Sequence, residues 1–170
     1  MTDPNEAHRS ILNKAYQIEI DGYTFYSMTA NAAGKPAVKE LFEKLAHDEL
    51  QHQAYLKEVL KNYGTTGTAA FHTQQAARDL SEYSQKMFTD QFRQQAQGAT
   101  FEMGVLSVGM TLETHAIRHF SGAAQGASER EVKTFYQFLA DWEKQHFDAL
   151  QGLFNSVKED FWNAGGFAAF

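Results

Sequence analysis

Glu49-Leu50-Gln51-His52 and, 94 residues further on, Glu143-Lys144-Gln145-His146 repeat one pattern, Glu-x-Gln-His. On a helix, residues three apart are neighbours on one face, so each glutamate and its histidine address a single point. The register around both is apolar: Phe42, Leu45 and Leu56 share the Glu49 stripe, while Tyr136, Leu139 and Leu150 share the Glu143 stripe. Ionisable side chains are rarely buried unless paired, so their place on a core-facing stripe calls for a physical reason.

Working outward, the same displacement of 94 aligns residues 12–56 with 106–150 and matches 13 of 45 pairs, far more than chance gives. The chain therefore carries a duplicated unit. In the first copy Ile11, Leu12, Ala15, Tyr16, Ile18, Tyr23, Tyr26 and Ala30 recur at helical steps, predicting a helix from about Asn5 to Ala33. Gly34-Lys35-Pro36 reads as a stop and a restart, since glycine suits a helix end and proline a first turn. A second helix then carries Leu41, Phe42, Leu45, Leu56 and Leu60 to about Tyr63, where Gly64-Thr65-Thr66-Gly67 breaks it.

The second copy predicts a helix from about Thr100 to Ala124, although Gly104 and Gly109 each cost it about 1 kcal/mol relative to alanine. Ser128-Glu129-Arg130-Glu131 fits a capping box, and the helix it opens is expected to reach about Val157. Residues 64–99 form the long crossover, with a short helix expected within Asp79–Gln97. The glycine-rich, aromatic tail, 159–170, is expected to leave the helix and dock against the body or a partner. The predicted fold is all-α: one domain, an antiparallel four-helix bundle with one crossover between the hairpins 5–63 and 100–158.

Heights along the hairpins sharpen the point. Glu19 lies fifteen residues before Gly34 and Glu49 fifteen after it; Glu113 and Glu143 flank Ser128 at the same spacing. In antiparallel hairpins each glutamate then sits about 22 Å from its turn. Four glutamates on four helices share one level. Four buried carboxylates without counter-charge would be prohibitively costly, whereas two divalent cations neutralise them and neutral histidines complete the coordination. The predicted metal ligands are Glu19, Glu49, His52, Glu113, Glu143 and His146.

Composition narrows the function. With no cysteine among 170 residues there is no disulfide, thiolate zinc site, cysteine-ligated cluster or cysteine nucleophile. A net charge of −6 argues against nucleic acid as a partner. No apolar run approaches the roughly 18 residues of a membrane span, and Met1-Thr2-Asp3-Pro4-Asn5-Glu6 does not read as a secretory signal. A soluble, cytoplasmic protein without membrane association is expected.

At these residues the chain resembles the ferritin-like di-iron carboxylate proteins, in which a glutamate from each of two helices meets Glu-x-x-His from the other two. The resemblance covers about residues 5–158 and is strongest to the rubrerythrin-type branch. It implies that Glu49 and Glu143 bridge the metals, with Glu19 and His52, and Glu113 and His146, as terminal ligands. Rubrerythrins proper carry a further glutamate one turn after the third-helix ligand. Here that position is Ala116, which brings the six-ligand set closer to bacterioferritin's and counts against redox-linked ligand exchange. Full-length rubrerythrins also append a four-cysteine rubredoxin domain; with no cysteine here, electrons are expected from an external donor protein.

The expected cofactors are two iron ions, with zinc or manganese compatible with the same donors. The expected activity is reduction of hydrogen peroxide or dioxygen by a homodimer or larger homo-oligomer. The alternatives are a ferroxidase of iron-storage type and a bundle whose metals are purely structural. Tyr23 and Tyr26, four and seven residues after Glu19, are candidates to hydrogen-bond a ligand carboxylate or the reacting oxygen; the position matching Tyr26 is Phe120. His8, His47, His72, His115 and His119 fall off the ligand stripe and read as surface or structural residues, and Met103 and Met110 as core filler.

Overall fold

The computed structural model describes residues 4–66 and 100–164. They form four helices in chain order: α1 Pro4–Ala32, α2 Pro36–Thr66, α3 Thr100–Gly126 and α4 Arg130–Ala164. The expected crossover beyond Thr66, its short helix, His72 and the last six residues lie outside the described residues. α1 packs on α2, α3 on α4, and α1 also meets α3. The molecule is an all-α four-helix bundle. Lys35, at the α1–α2 turn, bonds Glu102 near the start of α3 at 3.1 Å, so α1 and α3 run antiparallel.

The two hairpin turns are built alike. Each following helix opens with a first backbone bond from Lys39 to the Lys35 carbonyl, and from Lys133 to the Glu129 carbonyl, both 3.0 Å. These residues are 94 apart, so the repeat extends to the turns. The capping position of α4 is therefore Glu129, one residue after the serine of the expected capping box: shared hairpin geometry outweighs the local Ser-x-x-Glu pattern. α4 also runs past the expected end at Val157, to Ala164. Asp160-Phe161-Trp162-Asn163-Ala164 contains neither glycine nor proline, and the first helix-breaking pair is Gly165-Gly166.

Two apolar clusters fill the bundle. One gathers Tyr26, Phe42, Leu45, Leu106, Leu150 and Leu153 toward the α1–α2 turn. The other gathers Leu12, Leu56, Phe120, Phe135, Tyr136 and Leu139 toward the α3–α4 turn. Each such side chain, fully buried, stabilises the fold by about 1.5–3 kcal/mol. Met103 and Met110 pack at the edge of the first cluster. Gly109 is a tight point rather than a defect, because a Cβ there would lie 3.0 Å from Leu150 Cδ1 and 3.4 Å from Tyr26 Cε1. No helix among the described residues is long and apolar enough to cross a membrane.

Candidate metal centre

Between the two clusters the core turns polar. α1 delivers Glu19, α2 Glu49 and His52, α3 Glu113, and α4 Glu143 and His146; none of the six is more than 4% exposed. Donor atoms of Glu49, His52, Glu143 and His146 all lie within 4.8 Å of one another. Both histidines turn Nδ1 toward the carboxylates. His52 Nδ1 is 3.0 Å from Glu19 Oε2 and 3.6 Å from both Glu49 Oε2 and Glu143 Oε1. His146 Nδ1 is 3.3 Å from Glu49 Oε1 and 3.7 Å from Glu113 Oε1. The two rings stack, with centroids 5.2 Å apart.

The structure separates the two tyrosine candidates. Tyr26 is fully buried, and its hydroxyl donates to Glu113 Oε1. Tyr23 is half-buried against the first apolar cluster. The other histidines stand apart: exposed His47 pairs with Gln51, His8 lies 3.4 Å from the Tyr136 hydroxyl, and His119 Nε2 lies 3.5 Å from the Ile11 carbonyl. His115 is exposed on α3.

Three residues that the sequence reading passed over complete the site. Asp48 Oδ2 lies 3.7 Å from His146 Nε2, on the side of the ring away from the carboxylates. Trp142 stacks flat on His52, centroids 4.1 Å apart and planes 8° from parallel. Gly22 makes room for Glu49: a Cβ there would lie 3.0 Å from the carboxylate carbon and from Oε1. The signal for Asp48 and Trp142 was in the repeat, which superimposes them on the 3–4 stripe of each Glu-x-x-His.

The electrostatics are those of a crowded anionic pocket. Burial, then repulsion from Glu49, raises Glu19 well above the usual carboxylate range. Burial, then repulsion from Glu19 and Glu113, does the same to Glu143. Burial also pushes Glu49 upward, but the imidazoles of His146 and His52 beside it outweigh that and hold it well below the usual range. For His146, burial favours the neutral ring, and Asp48, Glu113 and Glu49 together reverse this and raise it. Burial and the adjacent Glu113 keep the Tyr26 phenol protonated far above its ordinary range.

A family model for rubrerythrin matches residues 10–154. The chain belongs to the rubrerythrin family. It is thus a member of the ferritin-like di-iron proteins, as its sequence resemblance implied. No curated protein and no solved structure matches it.

The residues present fit the metal pair that membership of the rubrerythrin family implies. Glu19 Oε1, Glu143 Oε1 and both ring nitrogens of His146 are buried without a hydrogen-bond partner among the described residues. Orphaned buried polar atoms are costly, and these converge on one carboxylate–imidazole cluster whose donors suit divalent transition metals. Burial of like charges, which protons or bound cations must offset, is consistent with the same reading.

Proposed function

We propose that the chain reduces hydrogen peroxide or dioxygen at a di-iron centre, using electrons from an external donor protein. The observation that supports this most is the convergence of four buried carboxylates and two imidazoles between two apolar clusters. In this reading Glu19 and His52 would hold one ion, Glu113 and His146 the other, and Glu49 and Glu143, lying between them, would serve both. Two bound iron ions would supply the two electrons that cleave an oxygen–oxygen bond.

The chain's own residues supply the rest. Phe42, Leu45 and Leu150 on one side, and Leu56, Phe120 and Leu139 on the other, exclude bulk water along the bundle axis. Tyr26 holds a proton against Glu113 Oε1 and fixes that carboxylate's orientation. The Asp48 carboxylate favours an N–H at His146 Nε2, which would leave the Nδ1 lone pair, on the side of Glu49 and Glu113, to hold a metal. Trp142 holds the plane of His52 by stacking.

The test is anaerobic loading with ferrous iron followed by one equivalent of hydrogen peroxide in a stopped-flow spectrometer. Oxidation should outpace that of free ferrous iron and cycle when a reduced donor protein is added; a rate equal to free iron overturns the reading. The assembly proposed is a homodimer or small oligomer, and gel filtration showing a closed cage would favour storage instead.

A further inference from the structure

A cleft of about 540 Å³ opens between α1 and α3 and ends on the centre. Gly22, Glu49, Glu113 and Glu143 form its inner end. Ile18 and Ala116 lie between these and the outer end, and Leu112 also lines the cleft. Lys14 and Arg118 stand at its outer end, beside His115 and His119. Two features make the cleft more than a passage for peroxide.

The first is size. A water molecule occupies about 30 Å³, and a peroxide needs little more, whereas cavities of roughly 300–1,000 Å³ hold organic ligands. The space has a local cause in Ala116, which carries no side chain beyond a methyl group, whereas the room at the matching Gly22 is taken by Glu49.

The second is polarity along the cleft. Lys14 and Arg118 are exposed, and among the described residues neither pairs with a carboxylate. The remaining acidic residue of the lining, Asp21, lies seven residues along α1 from Lys14, past the level of Glu19, and accepts from Gln17 Nε2 at 2.9 Å. Arg118 lies five residues past Glu113, and Lys14 five before Glu19, each about 7.5 Å along its helix. With α1 and α3 antiparallel, both cations fall at one end, separated from the carboxylates by an apolar stretch the length of a short acyl chain.

We propose that the α1–α3 cleft binds a small amphipathic organic anion. Its carboxylate sits at Lys14 and Arg118, and its apolar body lies along Ile18 and Ala116. Its far end stops beside Glu49 and Glu113. This rests on reading the centre as reactive and names a substrate class for it larger than peroxide.

The test is calorimetric titration of the full chain, as purified, with octanoate and with octylamine, with metal content measured on the same sample. Octanoate should saturate one site, and octylamine, which has the same body and opposite charge, should not. Ala116→Phe should fill the cleft and abolish binding. Lys14→Glu with Arg118→Glu, both at exposed positions that leave folding intact, should weaken octanoate by about tenfold or more. Failure of octanoate to bind, or equal binding in the double charge-reversed variant, overturns the proposal. A chain that holds metal and reduces peroxide but ignores octanoate overturns the cleft assignment alone. One that binds octanoate in the cleft yet takes up no metal supports the cleft and overturns the reading of the centre.

Discussion

Where the first hairpin has Asp48 the second has Trp142, and where the first has Tyr26 the second has Phe120. The candidate ligands themselves are duplicated faithfully; what surrounds them is not. Because the hairpins pack face to face, three of these four residues act on a candidate ligand of the other copy. Asp48 and Tyr26 of the first hairpin support His146 and Glu113 of the second with charge and a hydroxyl. In return the second offers His52 an indole face, while Phe120 is buried in an apolar cluster and carries no hydroxyl. Two ends with identical ligands thus have unlike support: one polar, one apolar. Outer groups of this kind tune the basicity and orientation of the ligands they touch.

Glu49→Ala combined with Glu143→Ala strikes both ends at once and has the largest expected effect. Elemental analysis should show loss of the metal pair, and retention of both ions would remove the shared centre on which the comparison stands. Trp142→Ala comes next. Its indole touches His52, Tyr55 and Phe138, and its removal should cost about 3–5 kcal/mol in urea denaturation. That loss should appear with or without metal, since the apolar end is held by packing.

Asp48→Ala should do the opposite. Stability of the metal-free chain should change little, while one step of a stepwise metal titration weakens about 10–100-fold and the other stays put. Equal weakening of both steps would erase the asymmetry. Tyr26→Phe makes the two ends alike at this one pair of positions and leaves Glu113 without its donor. It should cost about 1–3 kcal/mol, and Phe120→Tyr in the same chain should not restore it, because that hydroxyl would face the other end.

The buried carboxylate cluster was legible because helical periodicity sets up a strong expectation of apolar residues on the inner stripe, and Glu19, Glu49, Glu113 and Glu143 violate it at matched heights. The bundle followed from the same periodicity and from Gly34-Lys35-Pro36. Asp48 and Trp142 were harder. Each sits next to a ligand and could face either solvent or the neighbouring hairpin, and only packing decides. Gly22 was invisible for a related reason: nothing local says that a glutamate 27 residues away will press against its backbone. At the α3–α4 turn the local Ser-x-x-Glu signal pointed to Ser128, and the geometry shared with the first hairpin placed the helix start one residue later.

The crosswise support has a consequence for how such a centre can change over time. In a symmetric pair of separate, identical hairpins every substitution occurs twice, so an aspartate gained behind one histidine is gained behind both. Joining the copies in one chain removes that constraint. Asp48 could then differ from Trp142, and Tyr26 from Phe120, without altering a single ligand. Covalent linkage is what allows two ends built from the same carboxylate and imidazole groups to become chemically distinct.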